Sequence, residues 1–271
     1  MREALIVSTA RTPIGKAYRG AYNNTTAPEL GGIAIKSAIE KVGIAAEKID
    51  DVIMGCAMQQ GTSGGNIARL AALSAGLPNT VSGMSIDRQC SSGMMAIATA
   101  AKQIIVDGME SVIGGGLESI SLVQNKSMNT HRMIDKKLIK KQKNIYMPML
   151  QTAEIVSDRY KISREAQDEY ALQSQIKTAA AQESGKFIDE IVPTTTEMTV
   201  FNKETEETSY KNITLSIDQG NRPTTSIEGL NKLNPVIENG YITAGNASHL
   251  SDGASACLLM EAKTAAINNV T

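Results

Sequence analysis

The first 120 residues of the chain alternate between two periodicities, and few architectures satisfy that alternation. Continuous apolar runs at 4–8, 51–58, 81–86 and 111–117 read as buried strands. Between them, 30–41, 66–75 and 91–106 carry small and aliphatic residues at helical spacing. Gly43 stops the first helix, Asn66 caps the second, Gly76 and Pro78 end it, and Asp107-Gly108 ends the third. Strands joined by crossing helices build an α/β fold with a mostly parallel central sheet covered by helices. A further apolar run at 254–260 predicts a strand that rejoins this sheet, and 261–271 begins another helix.

From about 120 to 245 the alternation is lost. A polar stretch leads into a long helix opened by Ser163, with Glu165 in its first turn, that runs past Tyr170 and Ile176 and stops by Gly185. Charged, Thr-rich sequence follows over 194–208. The domain plan is therefore an α/β domain over 1–120 and 246–271, interrupted over 121–245 by an inserted subdomain of helices and loops. A length of 271 residues suffices for a sizeable core.

Composition excludes several functions. With 27 basic and 28 acidic side chains the net charge is -1, which provides no general field for nucleic acid. Aromatics are 3% of residues and Trp is absent, so base-stacking platforms are not expected. Lys136, Lys137, Lys140, Lys141 and Lys143 read as a solvated face. No run approaches the roughly 20 apolar residues of a membrane helix. The N-terminal run carries Glu3 and breaks at Arg11, which fits a first strand and not a signal peptide. Cys56, Cys90 and Cys257 are odd in number and far apart, without disulfide or zinc spacing; this predicts a reducing cytoplasm and no metal.

The chemistry concentrates at Asp87-Arg88-Gln89-Cys90-Ser91-Ser92-Gly93, between a strand and a helix. Residues 94–101 are small or apolar on nearly every face, which predicts a buried helix. Cys90 would then sit at the N-terminal end of that helix, whose partial positive charge stabilises a thiolate. The free N–H groups of the first turn can stabilise an oxyanion. The same segment also fits a cysteine that fills core space, as Cys56 and Cys257 do within their apolar strand runs. Gly61 to Asn66 precedes a helix but lacks the Gly-Lys-Ser/Thr ending of a P-loop, so it reads as a tight turn. Gly114, Gly115 and Gly116 read as places of close backbone approach. The small polar residues 243–248 read as a loop, with room for a ligand backbone to pass.

Together these segments resemble the thiolase family. The resemblance rests on Ser-Thr-Ala-Arg-Thr-Pro-Ile-Gly at 8–15, Asp-Arg-Gln-Cys-Ser-Ser-Gly-Met at 87–94 and Gly-Gly-Gly-Leu-Glu-Ser-Ile-Ser at 114–121. Thr152-Ala153-Glu154, Ser163-Arg164-Glu165, Arg222-Pro223 through Leu230 and the Thr-Ala-Gly-Asn-Ala-Ser segment at 243–248 continue it in order along the whole chain. It implies reversible Claisen chemistry on coenzyme A (CoA) thioesters, within fatty acid metabolism, with the acyl group carried on Cys90. It implies CoA or acyl-CoA as substrate and no permanently bound cofactor. Arg222 maps near the nucleotide end, where a guanidinium suits an anionic head. Ala244, Ser248 and Leu250, with Met149, map near the pantetheine arm. The Arg-Gln-Cys-Ser-Ser-Gly form is closer to the degradative, 3-ketoacyl-CoA side of the family.

The resemblance also implies a second half that carries Gly-His-Pro, Cys-x-Gly and Asn-Glu-x-x-Ala motifs, none of which occurs among these residues. Neither His131 nor His249 has a Gly-His-Pro context, and both are expected to be non-catalytic. Acid–base groups contribute roughly 10² to 10⁴-fold each, so little or no turnover is expected of this chain alone. The family's halves meet through helices near Cys90, which implies an apolar face and hence a homodimer or tetramer, with a separate C-terminal half as another candidate partner. The alternative is a non-catalytic CoA-binding or dimerisation module. A ketoacyl-synthase relative also places a cysteine at a helix start, but the 243–248 segment argues against it.

Overall fold

The structure, a computed structural model, describes residues 2–270. Its strands are β1 (Ala4–Arg11), β2 (Gly15–Lys16), β3 (Asp51–Gly55), β4 (Ser82–Ile86), β5 (Ser111–Ser119), β6 (Thr194–Phe201), β7 (Thr208–Leu215) and β8 (Ser251–Glu261). Its α-helices are α1 (Ala27–Val42), α2 (Ile67–Ser74), α3 (Ser92–Lys102), α4 (Ile120–Val123), α5 (Lys136–Lys141), α6 (Met149–Tyr160), α7 (Arg164–Glu183), α8 (Ile227–Asn231) and α9 (Ala262–Ile267). The chain divides into two compact units, one comprising Met1–Met128, Phe187–Gly220 and Leu250–Thr271, the other Asn129–Lys186 and Asn221–His249.

The first unit is built on a sheet in the order β1-β8-β5-β3-β4, with β2 against β8. Strands β3, β4 and β5 pair in parallel, while β8 runs antiparallel to both β1 and β5. All long strands except β8 therefore point the same way, as a mostly parallel sheet requires. Every residue of β3 is buried, which is why its apolarity is continuous and not alternating. Val52 and Met54 join a core with Leu30, Ile35 and Ile67 on the α1/α2 face, and Ile53 joins Ala96, Ile104 and Leu259 on the α3 face. Helix α1 ends at Gly43, whose φ of 75° lets its N–H reach the Ile39 carbonyl at 3.0 Å. The Asn66 side chain caps α2 by accepting from the Arg69 N–H at 3.3 Å.

Two expectations need correction. Helix α3 is not submerged on all sides. Ser92, Ala96 and Ala100 form its buried stripe, continued by Ile104 beyond its end, while Met94 is 77% exposed and Val106, also beyond its end, 76%. Uniform apolarity shows that a face avoids polar groups, not what covers it. Second, 194–208 is not simply loop. Strands β6 and β7 form an antiparallel hairpin in which Thr194 and Thr196 are buried while Thr195 and Glu197 are exposed. Threonine's branched Cβ suits a strand even where its hydroxyl makes the segment look polar. This stretch clusters with the sheet unit. The Arg11 N–H donates to the Glu190 carbonyl and the Val192 N–H to the Arg11 carbonyl, each at 2.9 Å.

In the second unit, Ser163 caps α7 through the Ala166 N–H at 3.2 Å. The fully buried Asp168 accepts from Arg164 Nε at 2.7 Å and from Asn246 Nδ2 at 3.0 Å. Glu154 accepts from the Tyr241 and Ile242 N–H groups at 2.9 Å each. The lysines of α5 are exposed or nearly so. No helix among the described residues is long and apolar enough to cross a membrane.

Candidate active site

Strand β4 delivers the chain to a tight turn that ends in α3. Asp87 Oδ1 accepts from the Gln89 N–H at 2.7 Å. Gln89 takes a φ of 51°, a region that L residues enter only when surrounding bonds hold them there. The Ser92 hydroxyl supplies such bonds, accepting from the Arg88 N–H at 2.8 Å and donating to the Gln89 carbonyl at 2.6 Å. Ser91 is the N-cap of α3, so Cys90 lies immediately before it. The small residues around this turn have a packing reason. A Cβ on Gly55 would come within 2.2 Å of the Ser92 carbonyl carbon, and one on Gly116 within 3.1 Å of Gly93 Cα. Glycine thus lets the start of α3 rest directly on β3 and β5.

Cys90 is exposed, which removes the core-filling alternative for it. It lines an open pocket of about 580 Å³ together with Arg11, Ile14, Cys56, Met58 and Glu118, among others. Cys56 is 1% exposed; burial and then the Glu118 charge push its thiol up to about 12. Cys257 is half-buried in β8, and burial raises its thiol as well. Glu118 accepts from the Ala57 N–H at 2.9 Å, the Met58 N–H at 3.3 Å and the Cys56 thiol at 3.5 Å. Arg11 pairs with Asp218 through two N–H donors at 2.7 and 3.0 Å, and with Glu190 at 2.8 Å. These partners hold its guanidinium charged against the opposing effect of burial. Arg11 and Glu118 lie inside motifs quoted above, yet neither was singled out from sequence; they reach the pocket through strands that pair far apart in the chain.

A second pocket, of about 280 Å³, lies within the other unit, where Gln175, Arg222, Ser226, Ala244, Gly245 and His249 contribute to its wall. The Arg222 N–H donates to Gln175 Oε1 at 2.8 Å, and the Arg222 carbonyl accepts from the Thr225 hydroxyl at 2.7 Å. Thr243 and Asn246 tie the 243–246 loop to itself, with Thr243 N–H donating to Asn246 Oδ1 at 2.8 Å. The structure thus brings Arg222 and Ala244 together. Ser248 is exposed and is not part of the lining. Met149, the first residue of α6, is 75% exposed. Leu250 belongs to the first unit, where its carbonyl accepts from the Ala17 N–H at 3.0 Å.

The sequence profile described as thiolase, N-terminal domain, matches residues 4–263. The 3-ketoacyl-CoA thiolase of Bacillus subtilis (strain 168) is 40% identical over 266 residues, which are 98% of this chain and 67% of that protein. The peroxisomal 3-ketoacyl-CoA thiolase B of Mus musculus is 39% identical over 95% of this chain, which spans only 59% of the mouse enzyme. Among solved structures, the acetyl-CoA acetyltransferase of Bacillus anthracis superimposes with a TM-score of 0.84 at 35% identity, over all of this chain and 68% of that one. Human mitochondrial 3-ketoacyl-CoA thiolase in complex with CoA gives 0.82 at 34%, over all of this chain and 67% of that one. The chain belongs to the thiolase family, and the part of the family's architecture that it contains is the N-terminal domain.

Proposed function

We propose that this chain is the acyl-accepting part of a thiolase-type acyl-CoA C-acyltransferase, an acetyl-CoA acetyltransferase or 3-ketoacyl-CoA thiolase, with the acyl group carried on Cys90. The observation that carries this reading is an exposed thiol set immediately before α3, on the wall of an open pocket. In the simplest half-reaction the Cys90 thiolate attacks the thioester carbonyl. The bond to Cys90 sulfur forms first, moving the carbonyl electron pair onto oxygen. As the carbonyl re-forms, the C–S bond to CoA breaks, and the departing CoA thiolate takes up a proton from solvent that balances the one Cys90 gave up. The Ser91 and Ser92 N–H groups already donate to the Arg88 and Gln89 carbonyls at 3.1 and 3.0 Å, so in this reading the transient oxyanion falls to the next N–H groups of α3.

Arg222 and Ala244 serve CoA in this reading, with Ser248, Leu250 and Met149 as further contacts. CoA thioesters are the substrates, and no permanently bound cofactor is invoked. No histidine lines the Cys90 pocket. The 271 residues alone are therefore expected to take up an acyl group with little or no turnover, and a C-terminal thiolase half is the partner that would supply the acid–base groups. In this reading the work is cytoplasmic, which the three free cysteines support.

Mixing the protein with acetyl-CoA and following free CoA tests the reading. Release of one equivalent per chain, then near-arrest, is the expected course; CoA binding without release supports a non-catalytic CoA-binding module instead. Replacing Arg222 by Ala is expected to weaken CoA binding about tenfold by calorimetry, the worth of one charge-assisted contact at an exposed site. An Arg222→Ala variant with wild-type affinity removes Arg222 from the site. Exposed Met94 on α3, with Ile105 and Val106 just after that helix, supports a homodimer or tetramer. Light scattering is expected to report a multiple of the 28.9 kDa chain, and a monodisperse monomer contradicts that assembly.

A further inference from the structure

The Cys90 pocket is lined by two cysteines, so something must decide which of them meets an electrophile. Cys90 is exposed, whereas Cys56 follows the last residue of β3 and is 1% exposed, with its N–H donating to the Ile86 carbonyl at 3.0 Å. Glu118 lines the same pocket beside Cys56. It projects from β5, where its backbone pairs with Gly253 of β8, so its origin is fixed by the sheet. One carboxylate oxygen accepts from the Ala57 N–H at 2.9 Å; the other accepts from the Met58 N–H at 3.3 Å and the Cys56 thiol at 3.5 Å. Cys56, Ala57 and Met58 are themselves pocket wall. Gln59 closes the segment further, donating from Nε2 to the Cys56 carbonyl at 3.1 Å.

We propose that Glu118 is a positioning residue of this pocket: its carboxylate fixes the 56–58 wall and thereby selects Cys90 over Cys56 as the thiol open to an electrophile. Two effects of one side chain act in the same direction. The hydrogen bonds keep the wall closed over Cys56, and the negative charge opposes formation of a second anion beside it. The proposal rests on Cys90 being the acylated residue. It adds that the pocket keeps its second thiol out of the reaction, and names the side chain that does so.

The test compares the wild-type chain with Glu118→Gln and Glu118→Asp under limited iodoacetamide at mildly alkaline pH, with the three cysteine peptides quantified by mass spectrometry. In alkylation the thiolate displaces iodide and its proton passes to buffer, so the rate reports both access and thiolate population. The wild type is expected to label at Cys90 and spare Cys56. Glu118→Gln is expected to raise Cys56 labelling about tenfold, because the 56–58 wall loses its carboxylate acceptor and the thiol its anionic neighbour. Cys90 labelling should stay within about twofold, and Glu118→Asp, which keeps the charge on a shorter stem, should fall between. Acetyl transfer to Cys90 from acetyl-CoA, which needs the wall in place, should fall about tenfold in Glu118→Gln. Cys257 serves as the control for unfolding. If Cys56 and Cys257 labelling rise together, or if Cys56 stays silent in folded Glu118→Gln, the proposal is overturned. Should Glu118→Gln fail to fold, Glu118→Asp decides by the same criteria. Absence of acetylation in the wild type would overturn the Cys90 reading instead, leaving the thiol partition to judge Glu118.

Discussion

Replacing Cys90 by alanine is expected to abolish acyl uptake from acetyl-CoA, lowering the rate by about 10³-fold or more, because the attacking atom itself is lost. No other thiol of the chain can take over. At neutral pH a thiol pushed up to about 12, as Cys56 is, holds only about 10⁻⁵ of its population as thiolate, and the residue is 1% exposed. Cys257 sits within β8 with its thiol also raised by burial. Affinity for CoA should be unchanged within about twofold, because the residues that line the Cys90 pocket and those that line the pocket of Arg222 and Ala244 are different. Rapid-quench mass spectrometry gives the first quantity and calorimetry the second. A Cys90→Ala chain that still accumulates acetyl thioester would transfer the nucleophile's role elsewhere.

Replacing Gly55 by alanine is expected to damage both the fold and the site. The added methyl would lie 2.2 Å from the Ser92 carbonyl carbon, 2.4 Å from its oxygen and 2.5 Å from the Gly93 nitrogen. All three are backbone atoms, so no rotamer change relieves the clash, and the start of α3 must lift off β3. Overpacking of this kind costs about 3 kcal/mol. That corresponds to a fall of roughly 6–12 °C in melting temperature for a unit of this size. The same lift displaces the turn that presents Cys90, and a displacement of about 1 Å at a reacting atom costs about 10²-fold in rate. Gly220→Ala is the control: nothing lies within 4 Å of its added methyl and its φ is not positive. Its stability should stay within about 0.5 kcal/mol of wild type. Urea titration of both variants checks this, and a Gly55→Ala chain as stable as Gly220→Ala would mean that α3 is not seated on the sheet as described.

The centre of the sheet was legible because β3 is buried on both faces and β5 along most of its length. The continuous apolarity of β3 follows from that burial, and the glycine stops after α1 and α2 from the left-handed backbone at Gly43 and Gly76. The hairpin of β6 and β7 was missed because the fully buried side chains of β6 are threonines and β7 turns only Ile213 and Leu215 inward. Thr196 meets the Thr25 hydroxyl at 2.5 Å in a buried pair that no hydropathy pattern reveals. The exposure of α3 was equally hidden, since Met94 and Ala96 are alike in apolarity and differ only in which way they face.

At the site, the residues within one turn, Cys90 with Ser91 and Ser92, could be read locally. Glu118 and Arg11 could not, because they join the pocket through strand pairings between residues far apart in sequence. Arg222 and Ala244 came from family resemblance alone, and the structure shows why spacing fails there. A loop and the residues after a helix meet across 22 positions of chain with no periodic pattern between them.

The most direct test of the central claim is a peptide map of the wild-type protein after brief exposure to acetyl-CoA. The account predicts an acetyl group on the peptide containing Cys90, removable by hydroxylamine as a thioester must be, with Cys56 and Cys257 unmodified. A folded protein whose Cys90 remains free while acetyl groups appear on Cys257, on surface lysines or nowhere would contradict it.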